Sequence, residues 1–361
     1  MHSHHSHSGA FCAHASPDTT PSSMLEVAYN KGFKSYCLSE HVPRSLESNL
    51  YPEEIQAGLL PSTLLQRFQE YLLEARKCAN AWKGKMNVLV GAELENVDDE
   101  CINYLQRVLD GTSISLDDNA DKVEKGNGPS AGKFKVDYLI GSLHHVDSIP
   151  IDFNKETFEL ALAHFQEVEE MKSFKDNKLI RQRRAHLRLI LRYLERQRQL
   201  VDYFRPEVIG HFDLCRLFDF DTPMTIKSPQ QDSQYADLVE QVDKAVARNI
   251  DFVCSYQGLF EVNSASIRKG WSTPYPGEDV LDIILSKGGR LCLSDDAHSH
   301  DQIGLNFNET KQYLKSKGVQ EIWMLELDDN TTLPQDSTRF PRGTRSVKVS
   351  DWTSDSFWDI N

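Results

Sequence analysis

The sequence predicts an α/β fold built on parallel strands, either a closed barrel or an open doubly wound sheet. Short runs rich in Val, Ile, Leu and aromatic residues recur along the 361 residues. Each run is followed by a longer segment with helical periodicity, and the alternation is regular. Strands that alternate with helices pair in parallel, because a parallel connection needs a crossover.

Taken in order, strands are expected at about 34–39, 87–95, 136–143, 207–212, 259–263, 290–294 and 321–327, and residues 1–6 could add a short first one. Helices are expected at about 20–31, ending at Gly32, and at 62–83, after Pro61 with Ser62 as cap. Further helices fall at 98–110, 154–200, 232–249, 278–287 before Gly288-Gly289, and 305–317 before Gly318.

Three segments depart from the alternation. Residues 111–135 are polar and Gly-rich without apolar periodicity, and read as a surface insertion. Residues 170–200 carry seven arginines between Arg181 and Arg198 among Leu, Ile and Tyr, the pattern of a long amphipathic helix with a solvated basic face. The tail at about 329–361 is rich in Pro, Thr and Asp and reads as irregular chain over the surface of a single domain spanning 1–361.

Composition narrows the partners. With 40 basic against 54 acidic residues the net charge is −14, which opposes binding to nucleic acid but leaves a small anionic substrate open. The seven cysteines show no C-x-x-C spacing and read as reduced thiols, of which Cys12 alone lies near the candidate ligands. No run approaches the length of a membrane span and no signal-peptide core opens the chain, so a soluble cytoplasmic protein without a membrane partner is expected. Oligomeric state is left open.

Ligand-competent side chains sit at the C-terminal ends of the expected strands. His5 and His7 form H-x-H, and His14 follows in CAHA. His41 ends YCLSEH, Glu93 and Glu95 end VLVGAELE, His144 and His145 end YLIGSLHH, and His211 and Asp213 lie in VIGHFD. Asp295, Asp296 and His298 end LCLSDDAH. In parallel α/β folds those ends open on one face, so residues nearly 300 positions apart converge. Alone, HSHHSH resembles an expression tag and His211 an ordinary hydrogen-bonded histidine, but chance does not place such residues at six strand ends. His164 and His186 read as helix packing or surface residues, and His2, His4 and His300 lack a pattern position. If His144 faces the site, His145 should not, unless the strand has already ended.

The motifs H5-S6-H7, S39-E40-H41, G91-A92-E93, G141-S142-L143-H144, G210-H211-F212-D213 and S294-D295-D296-A297-H298 resemble, in order and context, the polymerase-and-histidinol-phosphatase (PHP) superfamily. MHSHHSHSG, YCLSEHVPR, VGAELEN, VDYLIGSLHHVDSIPIDF and VIGHFDLCRLFD are similar to the fungal type of histidinol-phosphate phosphatase. The resemblance implies a distorted (β/α)7 barrel carrying three divalent metal ions, with Zn, Mn or Fe left open. It implies His5, His7, Glu93 and Asp296 around the first, Glu93, His144 and His211 around the second, and His14, His41 and His298 around the third. The implied reaction is hydrolysis of L-histidinol phosphate in histidine biosynthesis.

Such chemistry suits a phosphomonoester, whose dianion repels nucleophiles. Divalent metals supply positive charge and an activated water together, and a pair at roughly 3.5–4 Å clamps attacking and departing oxygens. Attack by a metal-bridging hydroxide is expected, with a metal-linked water, His298 or Asp296 protonating the leaving alkoxide. Arg216 is the expected bidentate phosphate grip. Arg44 and His145 are further substrate-binding candidates, and Glu95, Glu261 and Asn263 are options for the amine and imidazole. Two alternatives remain: a PHP phosphoesterase of other specificity, including one acting on 3′-ended nucleic acid, and a non-catalytic metal-binding module docking through 170–200.

Overall fold

Strands buried on both faces need apolar side chains on both, and a parallel sheet covered by helices supplies that setting. The computed structural model describes residues 1–110, 135–166, 177–227, 232–349 and 351–359. The chain opens with β1 (His2–Ser3), α1 (Pro21–Asn30), β2 (Ser35–Tyr36), β3 (Leu38–His41), α2 (Pro52–Gln56), α3 (Pro61–Trp82), β4 (Val90–Glu95) and α4 (Cys101–Leu109). Next come β5 (Tyr138–Ser142), the antiparallel pair β6 (His145–Val146) and β7 (Ile149–Pro150), α5 (Lys155–Gln166), α6 (Lys178–Phe204) and β8 (Val208–Ile209). The remainder is α7 (Ala236–Ser255), β9 (Leu259–Asn263), α8 (Ala265–Arg268), α9 (Glu278–Ser286), β10 (Arg290–Ser294), α10 (Phe307–Ser316), β11 (Ile322–Leu327), β12 (Thr338–Arg339) and β13 (Thr344–Val349).

Six strands form an all-parallel sheet in the order β10-β9-β8-β5-β4-β3. The N-terminal segment touches both edges of it. His4 N donates to Leu293 O and Ser6 bridges Ala297 beyond β10, while Cys37 N donates to Ser3 O and Ser39 N to Ser6 O beside β3. The core is therefore a barrel-like parallel arrangement with helices outside. Strand ends legible in the sequence become one face, and His41 stands in register with Glu93. Gly210 allows β8 to end close to β5, because a Cβ there would lie 2.3 Å from Ser142 Oγ.

Several expected elements shift. Pro61 is the first residue of α3 and Ser62 lies inside it, so Ser62 is no cap; Leu60 holds that position without a side-chain bond. The segment expected as one helix at 154–200 contains two, α5 and α6, the second capped by Asn177, whose side chain accepts from Ile180 N. Residues 111–134 and 167–176 lie outside the described residues, and with them nearly all of the expected insertion. The basic face of α6 is not simply solvated: Arg184 pairs with Asp237, Arg192 with Asp147, and Arg183 with Asp219, while Arg196 is buried beside Asp99 and Asp147.

The tail is not irregular throughout. β12 and β13 join β11 in a separate antiparallel sheet, order β11-β13-β12, so 321–327 leaves the parallel core. That sheet docks on the N-terminal segment, since Leu325 N donates to His4 Nε2, and Arg342 reaches Glu207 and Phe204 O. No described helix is long and apolar enough to cross a membrane.

Candidate metal centre

The period-two backbone of residues 2–7 sorts the opening histidines. His2 and His4 are buried away from the site, His2 Nε2 accepting from Leu293 N and His4 Nε2 from Leu325 N. His5 and His7 face the strand ends, where the Glu93 carboxylate is the hub. Oε1 of Glu93 lies 3.2 Å from His5 Nε2, 3.1 Å from His144 Nε2 and 3.2 Å from His211 Nε2. Oε2 lies 3.4 Å from His7 Nε2 and 2.8 Å from His41 Nδ1.

Asp296 Oδ1 completes the inner group, 3.6 Å from His5 Nε2 and 3.5 Å from His7 Nε2. Its left-handed backbone (φ 49°) turns it from its neighbour Asp295, whose carboxylate instead meets Ser3, Tyr36 and Gly304 N. Next to this group, His14 Nε2 lies 3.0 Å from His298 Nε2 and 3.4 Å from His41 Nε2. All nine expected ligands are thus brought together.

The outer ring nitrogens fix the inner ones. His5 Nδ1 donates to Glu261 Oε1 (2.8 Å), His7 Nδ1 to Glu40 Oε2 (3.3 Å), His144 Nδ1 to Asp152 Oδ2 (3.0 Å) and His298 Nδ1 to Asp296 O (2.9 Å). Each bond points Nε2 inward, the way metal-binding imidazoles are held. His5 Nε2, His7 Nε2 and Asp296 Oδ1 are buried with no hydrogen-bond partner. Buried polar atoms left unpaired are costly, and cations among them would satisfy all three.

Burial would lower His5, His7 and His144, but the carboxylates around them raise His5 and His144 well above the ordinary imidazole value and His7 to about 10, so cations held there would take the place of these protons. Burial would raise the Glu93 carboxyl, but His5, His41 and His144 outweigh it and hold it well below the carboxylate range. Burial pushes His14 and His298 well below the ordinary imidazole value, and His41 to about 3, so these three are neutral and ligand-competent. Four overlapping groups of donor atoms could each hold an ion: His5-His7-Asp296, His5-Glu93-His211, His41-Glu93-His144 and His7-Cys12-His41-His298. The site is a multi-metal one by its donor set.

A cavity of about 280 Å³ opens onto His14, His41, His144, Asp296 and His298, and is also lined by Tyr51, Glu53, Asp152, Phe153, Arg268 and Lys269. Arg216 does not line it. Its guanidinium is buried against Asp213 and, at 2.9 Å, Asp279, beside a different cavity of about 550 Å³, so the expected phosphate grip is already occupied by two carboxylates. Arg44 is likewise committed, to Glu54 and Val42 O, with its guanidinium over the Tyr51 ring.

His145 is also turned from the cavity. The parallel strand has ended at Ser142, and the ring stacks on Tyr51 while bonding Glu95 Oε1 at 2.7 Å. Glu95 and Glu261, expected as substrate contacts, are buried supports for histidines, and Asn263 bonds Glu261. Asp152, Arg268 and Lys269 were missed by sequence reasoning, because none sits at an expected strand end.

The PHP domain profile matches residues 3–265. Over 338 residues the chain is 34% identical to a probable histidinol-phosphatase of Schizosaccharomyces pombe, covering 93% of this chain and 94% of that one. It is 28% identical to the histidinol-phosphatase of Saccharomyces cerevisiae, covering 99% of each. Among solved structures it is similar to a candidate histidinol phosphatase of Listeria monocytogenes (TM-score 0.58, 18% identity, covering 85% of this chain and 99% of that one). It is also similar to the Lactococcus lactis histidinol phosphate phosphatase complexed with zinc, L-histidinol and phosphate (TM-score 0.52, 16% identity, 90% and 95% covered). These two likenesses concern the fold. With a domain match over most of the chain and a full-length relative above 30% identity, on a site where nine histidines and carboxylates converge at parallel strand ends, the chain belongs to the PHP-domain family.

Proposed function

We propose that this chain is a metal-dependent phosphomonoesterase that hydrolyses L-histidinol phosphate to L-histidinol and phosphate. The observation that carries the reading is the convergence of five imidazoles on the two oxygens of Glu93, in a chain that runs end to end with curated histidinol-phosphatases. The N-terminal segment bonded to both sheet edges supports a distorted (β/α)7 barrel within a single domain.

In this reading three divalent cations, Zn, Mn or Fe, are held by the chain. His5, His7, Glu93 and Asp296 hold the first; Glu93, His144 and His211 the second; His14, His41 and His298 the third. When bound, such cations acidify water and neutralise phosphoryl oxygens. The residues do the rest. Glu93 offers one oxygen to each side of the centre, and the outer carboxylates Glu261, Glu40 and Asp152 hold the rings in register. Arg268 spends one N–H of each terminal nitrogen on the carbonyls of Asp295 and Asp296 (2.8 and 2.7 Å), which fixes its fork at the cavity wall where a phosphate would lie. Glu53, Asp152 and Phe153 line the same cavity and suit an amine and an imidazole. With His298 and Asp296 taken up as ligands, water acidified by the bound cations would be the proton source for the departing alkoxide.

Comparing L-histidinol phosphate with a 3′-ended oligonucleotide under one set of metal conditions tests the assignment. Phosphate release from the first alone is expected. Comparable turnover of the oligonucleotide would move the chain to the nuclease side of the family.

A further inference from the structure

Cys12 belongs to none of the three ligand sets proposed above, yet its sulfur stands among their nitrogens. The turn after the first segment, closed by Cys12 N donating to Ser8 O (2.8 Å), buries the thiol. Its Sγ lies 3.3 Å from His14 Nε2 and forms a compact group with ring nitrogens of His7, His41 and His298, all within 4.8 Å of one another.

Hydrogen bonding cannot satisfy that group. His14 Nε2 has Cys12 Sγ at 3.3 Å, His298 Nε2 at 3.0 Å and His41 Nε2 at 3.4 Å, but a ring nitrogen carries either one proton or one lone pair. His298 Nδ1 already donates to Asp296 O, which leaves its Nε2 as an acceptor, and His7 Nε2 is buried with no partner. Four donors around one cation do satisfy it. Tetrahedral arms of ~2.0 Å to nitrogen and ~2.3 Å to sulfur put neighbouring donors roughly 3.3–3.6 Å apart, against 3.0–3.4 Å from His14 Nε2 to the other three donors, which lie within 4.8 Å of one another.

We propose that the Cys12 thiolate is a fourth ligand to the cation held by His14, His41 and His298, making that position an N3S site selective for zinc-like ions. This rests on the multi-metal reading above. A thiolate is a soft donor that favours Zn2+ or Co2+ over Mn2+, whereas the positions around Glu93 offer only imidazole and carboxylate. The step is an exchange without redox change: the S–H bond breaks, sulfur keeps the electron pair and donates it to the cation, and the proton leaves to buffer.

The full chain loaded with Co2+ provides the test, with bound cobalt measured by elemental analysis. A thiolate-to-cobalt charge-transfer band in the near ultraviolet is expected in the wild type and lost in Cys12→Ala, where visible ligand-field bands persist. Affinity of one cobalt should fall at least about tenfold, and preference for Zn2+ over Mn2+ should fall with it. Should Cys12→Ala fail to fold, alkylation of the wild type by iodoacetamide, read by peptide mass, answers the same question: Zn2+ should protect Cys12. Cobalt bound without the band, a band that survives in Cys12→Ala, or no protection by Zn2+ overturns the thiolate assignment alone. A wild type that binds no cobalt overturns it together with the multi-metal reading.

Discussion

Replacing Glu261 by Gln removes a charge from a position where every neighbour is a donor. Oε1 accepts from His5 Nδ1 at 2.8 Å and from Ser294 Oγ, and Oε2 accepts from His211 N at 2.7 Å and Asn263 Nδ2 at 3.0 Å. A carboxamide has one oxygen for these four donors. If the amide nitrogen faces His5, the imidazole must move its proton to Nε2, the atom that points at the cation position, and ligation fails. If it faces the other way, His211 N and Asn263 Nδ2 lose their acceptor.

Loss of such an outer partner costs about 10–100-fold in metal affinity or activity, equivalent to about 1.4–2.7 kcal/mol. Burying unpaired donors should lower folding stability by about 1–3 kcal/mol. Chelator competition gives the affinity and phosphate release gives kcat/KM; both should fall together in Glu261→Gln. A folded variant with wild-type metal affinity and a raised KM alone would refute the reasoning and return Glu261 to the role of substrate contact.

Other expectations follow from the same geometry. Arg216→Ala takes the one guanidinium away from the buried Asp213 and from Asp279, so urea titration should show a loss of about 3–5 kcal/mol; unchanged stability with a raised KM would revive the phosphate grip. Asp152→Asn weakens the hold on His144 Nδ1 and should reduce metal affinity about tenfold or more, read by chelator competition, with wild-type affinity as the contrary result. Although burial opposes it, the hydrogen bond from His186 and the charge of Arg183 pull Asp219 from 3.8 to about 2. A depressed carboxyl stabilises fully above its unfolded pKa, so Asp219→Asn should cost about 2 kcal/mol at pH 7, shrinking between about pH 4 and pH 2. A pH-independent gap would show that the ionised carboxylate is not what matters. Chelation should lower Tm, since a cation at 1,000 times its Kd adds about 4 kcal/mol per site; an unchanged Tm on verified metal loss would contradict a centre that bridges strand ends.

Much of the site was legible because strand ends carry their ligands locally. H-x-H, SEH, GAE, the LHH run and D-x-H each name their residue types, and the parallel fold does the gathering. Facing was legible only in part: the motif pattern separates His5 and His7 from His2 and His4, but strand period does not separate His144 from His145 once the strand has ended. Partnerships across the chain were not legible. Nothing near Arg216 announces Asp279, 63 positions away, and nothing near His5 announces Glu261, 256 positions away. The tail misled for a related reason. Its strands β12 and β13 pair with β11, which itself docks on His4 of the N-terminal segment, and composition does not encode that pairing.

The central claim, that hydrolysis depends on cations gathered by Glu93, is tested most directly by phosphate release from L-histidinol phosphate. Wild type and Glu93→Gln should be compared before and after chelation, with metal content measured on the same samples. The wild type should lose activity on chelation and recover it with divalent cations, while Glu93→Gln holds less metal and stays at least about 100-fold below wild type. Full activity in metal-free wild type, or in Glu93→Gln, would contradict the account.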